Sequence, residues 1–331
     1  VLTYIMNSTS SPLYHVSSEN SGLRLDVFLV QVTGENRSQI KKAVSEKCVE
    51  INGTVASKAG VVLREGNEVL YTPFVRTFDT PVAVTNMPKE ELHVSVLHET
   101  DDYLVIDKPA GVLVHPTQAG EPVTIVSWLL EHFPECKGVG ESDVRPGIVH
   151  RLDKDASGVM VIAKTQKMFL HLKDQFQKRV IEKHYQVLVH GAIDREHGVI
   201  DFSIDRGKDG RMVSRPKTDP LQLKNVTSLQ PGKDSLTEFW VEKRFVNYSF
   251  LDVKIHSGRT HQIRVHMFAY THPVVGDTLY MNKNVLHKRD KDLTRLFLHA
   301  HTLSFTDLSK EKMTCTSPLP QVLQTFLDIL T

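Results

Sequence analysis

Cysteine is scarce in this chain of 331 residues, which has only Cys48, Cys136 and Cys315, far apart. An odd, scattered set argues against a disulfide framework and against a zinc site of paired cysteines. A reducing compartment suits such a chain, and a cytoplasmic location is expected. Long apolar runs are also lacking. None reaches the ~18 residues of a membrane-spanning helix, so no membrane association is expected. The first residues show no basic segment followed by an apolar core, so no secretory signal is expected. Charge of one sign is missing as well: 40 Lys and Arg stand against 39 Asp and Glu, a net of +1. Nucleic-acid binders are often strongly basic, so any RNA contact here requires a local patch. There is no Gly-rich loop ending in Gly-Lys-Ser/Thr and no strand leading into Gly-x-Gly-x-x-Gly. That removes the common nucleotide and dinucleotide sites.

What is present is ordinary globular composition, 40% hydrophobic and 24% charged. The length suits one large domain and one small one. Residues 1–20, rich in Ser, Thr and Asn, read as a flexible arm. Residues 21–72 form a compact small domain. Leu25, Phe28 and Leu29 have helical spacing. Ser38 is placed to cap a second helix with Ile40, Ala43 and Val44 inward and Lys41, Lys42 and Lys47 outward. Val49-Glu50-Ile51 reads as a strand, Asn52-Gly53 as a tight turn, and Glu68 to Tyr71 as a further strand. Pro73, Pro81 and Pro88 mark residues 73–91 as a linker.

The large domain, 92–331, starts with a strand at Tyr103 to Ile106, a turn over 107–111 and an expected second strand at Val112 to Pro116. Thr124 is placed to cap a short helix. The stretch Val149 to Lys164 is the most informative. A polar loop carrying Arg151, Asp153 and Asp155 passes into the apolar strand Val159 to Ala163. Gly158 sits at the junction, where an unusual backbone angle is often needed. A carboxylate beside an arginine at the mouth of a core strand makes Asp153 the candidate catalytic residue. Thr165 caps a helix with Met168, Leu172 and Phe176 on one side and Lys167, Lys173, Lys178 and Arg179 on the other. Lys183 to Val189 alternates as a strand. Residues 203–234 have the composition of an exposed insertion, basic through Arg206, Lys208, Arg211, Arg215 and Lys217. Strands follow at Glu238 to Val241 and Phe250 to Ile255. Thr260 is placed to cap a helix with Ile263, Met267 and Tyr270 inward. Gly276-Asp277 reads as a turn, Leu296 to Phe305 as a strand, and Val322 to Leu330 as a closing helix.

The 17 histidines invite a metal reading, but the spacing argues against it. His261 and His266 are five apart, where four would stack two ligands on one helix face. His299 and His301 share a strand face with no obvious third ligand. No metal site is expected. Ser157 lacks the Gly-x-Ser-x-Gly elbow of a serine hydrolase. A glycoside hydrolase needs two carboxylates flanking the scissile bond, and no second one stands out beside Asp153.

Two resemblances organise these observations. Arg24-Leu25-Asp26 and the Val-Glu-Ile-Asn-Gly run resemble the signature of the S4 RNA-binding domain. That resemblance implies that Arg37, Lys41 and Lys42 on the second helix contact RNA phosphates. The run His150-Arg151-Leu152-Asp153-Lys154-Asp155-Ala156-Ser157-Gly158 resembles the signature of the RluA family of pseudouridine synthases. Lys183-x-Tyr185, the run from Gly258 to His266, Leu298-His299-Ala300, the run from Asp107 to Gly111, and His115-Pro116 match that family's other motifs in order. With an S4 domain in front, the chain resembles the RluD type, which acts on large-subunit ribosomal RNA.

The resemblance implies an α+β catalytic domain on a long, mostly antiparallel sheet, and isomerisation of a flipped-out uridine without any cofactor. It assigns catalysis to Asp153, Tyr185 and Arg264. Arg264 is the expected cationic partner that keeps a buried carboxylate charged through paired hydrogen bonds. Tyr185 is expected to stack on the base and to assist proton removal through its hydroxyl. Leu298 is an expected apolar wall, and Arg151 an RNA contact or a replacement for the flipped base. Asp155 reads as a loop carboxylate. Ribosomal RNA is the expected partner, and the chain is expected to act as a monomer. Two departures from the pattern stand out: Ala156 in place of the usual Thr, and no His-Pro after Leu303-Ser304-Phe305. The alternatives are a synthase acting on tRNA or another ribosomal RNA site, and a non-catalytic RNA-binding assembly factor.

Overall fold

A computed structural model describes residues 12–34, 37–72, 92–117, 121, 123–207, 211–216 and 232–330. The expected linker at 73–91, Lys208 and Lys217 lie outside the described residues, as do residues 1–11 of the expected arm and the side chains of Arg37, Lys42 and Arg215. The chain divides into two compact units, Val1–Lys89 and Glu90–Thr331.

The first unit contains β1 (Leu13–His15), α1 (Leu25–Thr33), α2 (Arg37–Ser45), β2 (Val49–Ile51), β3 (Thr54–Val55) and β4 (Glu68–Tyr71). Its sheet runs β1-β4-β2-β3, all antiparallel. The helical spacing of Leu25, Phe28 and Leu29 and of Ile40, Ala43 and Val44 delivers both sets to one core with Val49, Leu63 and Val69. Asn52 and Gly53 adopt φ values of 51° and 73°, the left-handed pair that a two-residue hairpin turn requires. Helix α2 already starts at Arg37, so Ser38 lies inside its first turn and does not precede it as a cap. Lys41 is exposed on this helix.

The second unit contains, in order, β5 (Ser95–Glu99), β6 (Tyr103–Lys108), α3 (Ile125–His132), β7 (Ser157–Ala163), α4 (Gln166–Lys178) and β8 (Glu182–His190). There follow β9 (His197–Ile200), β10 (Phe202–Arg206), β11 (Met212–Pro216), β12 (Thr237–Arg244), β13 (Tyr248–Ile255) and α5 (Gln262–Ala269). Strands β14 (Leu298–Thr306) and β15 (Lys312–Thr316) and helix α6 (Gln321–Asp328) close the chain. Among the described residues, a nine-stranded sheet runs β5-β6-β7-β14-β8-β13-β12-β9, with β15 beside β14. Its β7–β14 contact is parallel and its other pairs are antiparallel. The expected insertion begins as a separate hairpin, β10–β11.

Apolar side chains fill both faces of the sheet. Ile125, Trp128 and Leu129 of α3 and Ile263 and Met267 of α5 pack with Leu104, Met160, Val187 and Leu251. Met168, Phe169 and Leu172 of α4 pack with Val105, Val159, Val161 and Phe305. Leu323, Phe326 and Leu327 of α6 pack with Leu188, Phe250 and Phe297. Strand β7 is buried at every position, as an unbroken apolar run between two covered faces must be.

Two further local expectations fail. Val112 to Pro116 is no strand, and Leu113 makes only an isolated bridge to Thr124. The reason is Lys108. Its side chain is wholly buried, and its Nζ donates to the carbonyl oxygens of Pro109, Val112 and Lys154 at 2.8, 2.8 and 3.1 Å. The chain after β6 wraps the ammonium instead of pairing. Thr260 does not cap α5, which starts at Gln262 after His261 at φ 55°. The Gln262 side chain takes over locally. Its oxygen accepts from Ser257 Oγ and Arg259 N, and its nitrogen donates to Leu236 O and Thr237 Oγ1. Thr124 and Thr165 do cap α3 and α4.

Gly158 lies at φ 118°, and a Cβ there would stand 2.2 Å from the carbonyl oxygen of Ala300. The close parallel approach of β7 and β14 therefore admits only glycine. Gly158→Ala is expected to cost at least ~1–3 kcal/mol from backbone strain alone, read as a lower urea midpoint at unchanged slope. An unchanged midpoint would contradict this packing.

Candidate active site

The mouth of β7, the middle of β8, the start of β14 and the first turns of α5 meet around a cavity of about 500 Å³. Arg151, Asp153, Tyr185, Leu298 and His261 line it. Asp153 is 15% exposed at the side chain. Arg264 Nη1 donates to Asp153 Oδ2 at 3.3 Å, across 111 residues of sequence. The expected pair is therefore formed, but with a different geometry. The fork of the guanidinium does not face Asp153. Its Nε and Nη2 donate instead to Asp277 Oδ2 and Oδ1 at 2.6 and 2.8 Å.

Asp277 is wholly buried at the side chain. Its Oδ1 also accepts from the backbone N–H groups of Leu279 and Tyr280. The Tyr280 ring lies 5.2 Å from the guanidinium carbon. The guanidinium is thus fixed in one plane by a bidentate carboxylate and an aromatic face, and one of its three remaining N–H groups reaches Asp153. Burial works against the charge of Arg264, but the hydrogen bonds and charges of Asp277 and Asp153 outweigh it, so the group stays cationic. The sequence reading took Gly276-Asp277 only as a turn. An acid beyond the helix end has no periodic relation to Arg264, so only the fold reveals the contact.

Strand alternation puts Tyr185 on the cavity side of β8. Burial, and then the charge of Asp153, push its phenol well above the usual tyrosine range. Tyr185 is therefore a neutral phenol, able to donate a hydrogen bond and poorly suited to accept a proton. Leu298 is buried in the wall. Arg151 is exposed at the rim and makes no ion pair with any described residue. Asp155 is exposed and outside the cavity lining.

The loop that carries Asp153 is tied at both ends. The carbonyl of Lys154 accepts from Lys108 Nζ and from the backbone of Gly111. Arg295 Nη2 donates to Ser157 Oγ, which also meets His299 Nδ1 at 3.0 Å. His299 Nε2 faces the carbonyl of Ser317. A carbonyl only accepts, so Nε2 carries the proton and Nδ1 accepts from the Ser157 hydroxyl. Before the loop, His150 stacks on Phe176 and its Nε2 accepts from the backbone of Val161. Burial pushes His150 down to about 3, which keeps that acceptor free of a proton. Burial, with the charges of Arg145 and Arg151, likewise pushes His115 in the cavity wall down to about 4.

A profile described as RNA pseudouridylate synthase matches residues 102–269, and one described as S4 domain matches residues 23–69. The chain belongs to the RNA pseudouridylate synthase family. It is an isomerase whose substrate is RNA, with an S4 domain toward its N-terminus. The expected α+β architecture, mostly antiparallel, is the one observed. An Aquifex aeolicus protein named uncharacterized RNA pseudouridine synthase is 41% identical over 78% of this chain and 76% of its own length. A Buchnera aphidicola protein named ribosomal large subunit pseudouridine synthase D is 32% identical over 93% of this chain and 94% of its own. A solved structure titled human RNA pseudouridylate synthase domain containing 1 is 25% identical, with a TM-score of 0.55 over 71% of this chain and 87% of that one.

Asp277 and Asp153 contribute unequally to Arg264, and their variants separate the two. Asp277→Ala leaves a buried guanidinium without its main partner and is expected to cost ~3–5 kcal/mol in urea unfolding. Asp153→Asn leaves that partner in place and is expected to cost less than about 1 kcal/mol. The reverse order would contradict the geometry.

Proposed function

We propose that this synthase converts uridine to pseudouridine in large-subunit ribosomal RNA, with Asp153 as its catalytic carboxylate. One observation carries the assignment of Asp153: among the described residues lining the cavity it is the only carboxylate, and Arg145, Arg151, Arg179, Lys183 and Arg259 line the same space. The reaction breaks the bond between uracil N1 and ribose C1′ and forms one between C5 and C1′. The proton lost from C5 is balanced by one gained at N1. A single anion in a cationic, water-restricted cleft suits a reaction that develops charge on ribose and base together.

Arg264, locked by Asp277, holds Asp153 in place and leaves its second oxygen for the reacting nucleotide. Tyr185 offers a ring on which the flipped uracil stacks, and its neutral hydroxyl donates a hydrogen bond. This reading drops the expected help in proton removal. Leu298 closes the apolar side. Arg151, exposed and without an ion pair, takes the place of the extruded base or holds a phosphate. Arg37, Lys41 and Lys42 on α2 of the S4 domain contact phosphates elsewhere on the RNA. A glycosidase reading requires a second working carboxylate. Asp277 is the other acid on Arg264, and four donors already occupy its oxygens.

The choice of large-subunit RNA rests on the S4 domain and on relatives named for that activity over nine-tenths of this chain. A cytoplasmic monomer that needs no cofactor fits this reading. Among the described residues no helix is long and apolar enough to cross a membrane.

Pseudouridine mapping of ribosomal and transfer RNA tests the proposal in cells with the protein, without it, and with Asp153→Asn. The expected outcome is a large-subunit position lost in both the deletion and the variant. Three identical maps would refute the enzyme reading for Asp153, and loss confined to transfer RNA would overturn the substrate.

A pH series tests the cleft's charge. Burial, and next to it Arg179, push Lys183 down to about 8. Its charged form is present below that pH and lost above it. The KM for RNA is expected to rise severalfold between pH 7 and pH 9, as about one phosphate contact weakens. Lys183→Met should raise KM at pH 7 and flatten the rise; a parallel rise in that variant would exclude Lys183 as the cause.

A further inference from the structure

The face of the sheet turned away from the cleft carries a second cluster of chemistry-bearing side chains. Tyr185, Val253 and Leu298 pack toward the cleft, so their strand neighbours His184 and Asp252 point to the other face. Strand β14 joins them through an irregularity. Ala300 pairs with Tyr185 and Thr302 with His184, leaving His301 as an extra residue between them. A bulge of this kind re-aims a side chain, and here it brings His301 to the side of His184 and Asp252.

The three groups converge closely. His184 Nδ1 lies 2.8 Å from Asp252 Oδ2, and His301 Nε2 lies 3.1 Å from Asp252 Oδ1. All three potential donor atoms lie within 4.8 Å of one another. Ligands at about 2.0–2.1 Å in a tetrahedral site stand roughly 3.4 Å apart, so small side-chain adjustments bring these atoms onto one ion. The tautomer of His301 also fits. Without an ion, Nε2 directs its proton at Asp252 Oδ1; on metal binding that proton is released and Thr302 Oγ1, 2.9 Å from Nδ1, accepts the N–H of the other tautomer. The side chains of His184, Asp252 and His301 are 25%, 21% and 26% exposed, so the cluster is held by packing yet open to entry. A second irregularity, between Val241 and Lys243 on β12, leaves Glu242 as an extra residue on the neighbouring strand.

We infer that His184, Asp252 and His301 bind one divalent transition-metal ion and that the ion clamps strands β13, β8 and β14 together. Two imidazoles and one carboxylate are the donor set of zinc and its neighbours rather than of magnesium or calcium. Solvent takes the remaining position. Strand β8 carries Tyr185 beside His184, and β14 carries Leu298 three residues before His301, so the ion braces the wall of the cleft from behind without meeting RNA.

Titration of the full chain with Co²⁺ and Zn²⁺ tests this inference. One Co²⁺ per chain should give the visible absorption of a nitrogen and oxygen site, without the charge-transfer band of a thiolate. Zn²⁺ should compete for it and raise the melting temperature in proportion to the logarithm of its concentration. His301→Ala and the isosteric Asp252→Asn should each weaken binding by about tenfold or more, with circular dichroism checking that both remain folded. Binding of equal strength in both variants, a thiolate band, or no saturable binding by the wild-type chain would overturn it. In those cases the cluster is a hydrogen-bonded pair of histidines on one carboxylate.

Discussion

A buried guanidinium shared unequally between two carboxylates organises the catalytic unit. Removing a cation from water is costly unless its N–H groups and its charge are both met inside. Asp277 accepts two of the guanidinium's five N–H groups and opposes its charge, and the backbone N–H groups of Leu279 and Tyr280 hold that carboxylate in place. Of the three N–H groups that remain, one is directed at Asp153. A carboxylate that accepts a single hydrogen bond from a fixed donor is oriented without being used up. Had the fork closed on Asp153, both its oxygens would be engaged and its charge largely spent. The pair and the single contact together leave one net negative charge, and Asp153 is where it is exposed.

The surrounding fold serves that division. Helix α5 is buried from Gln262 to Met267, unusual for so polar a sequence, because hairpin β10–β11 also engages it. His266 Nε2 faces the carbonyl of Phe202 on β10, and Tyr280, which carries the ring under Arg264, accepts from the backbone of Met212 on β11 and meets His261. The Asp153 loop is pinned independently, by Lys108 through Lys154 on one side and by Ser157 through Arg295 and His299 on the other. A proton-bearing or nucleophilic group that must meet a substrate within a few tenths of an ångström gains from anchors that belong to different strands. Gly158 permits this by letting β14 approach β7 more closely than any side chain would allow.

Much of this was legible in the sequence because it depends on local pattern. The run 150–158, Tyr185 and Arg264 each sit in a distinct motif, and their order along the chain carried the family resemblance. The apolar periods of α1, α4 and β7 predicted their buried faces, and Thr124 and Thr165 predicted the caps of α3 and α4. What was missed depends on contacts between residues with no local relation. Asp277 looks like any turn aspartate until α5 turns Arg264 toward it. Lys108 reads only as part of a turn over 107–111, and its burial is what prevents the strand expected at Val112 to Pro116. The spacing of His299 and His301 raised the question of a metal, set aside for want of a third ligand, but the fold sends the two histidines to different partners. His299 is committed to Ser157 and Ser317, while the bulge sends His301 across to His184 and Asp252.

The cleft's histidines show why its chemistry concentrates on so few groups. His115 and His150 are held near 4 and 3, and burial pushes His261 down despite the nearby charge of Asp153. His115 and His150 thus stay uncharged near neutrality, where they fill space, accept hydrogen bonds and add no competing acid. The positive charge that lines the cavity is then carried by arginines, whose charge does not vary with pH in the working range, with Lys183 as the exception. Tyr185 is kept neutral by the same burial. On the proposed reading, a detached uracil must turn within the cleft and rejoin the same ribose. A wall that among the described residues holds no second carboxylate, and whose Tyr185 hydroxyl stays protonated, supplies no competing nucleophile and leaves Asp153 as the group on which the reaction turns.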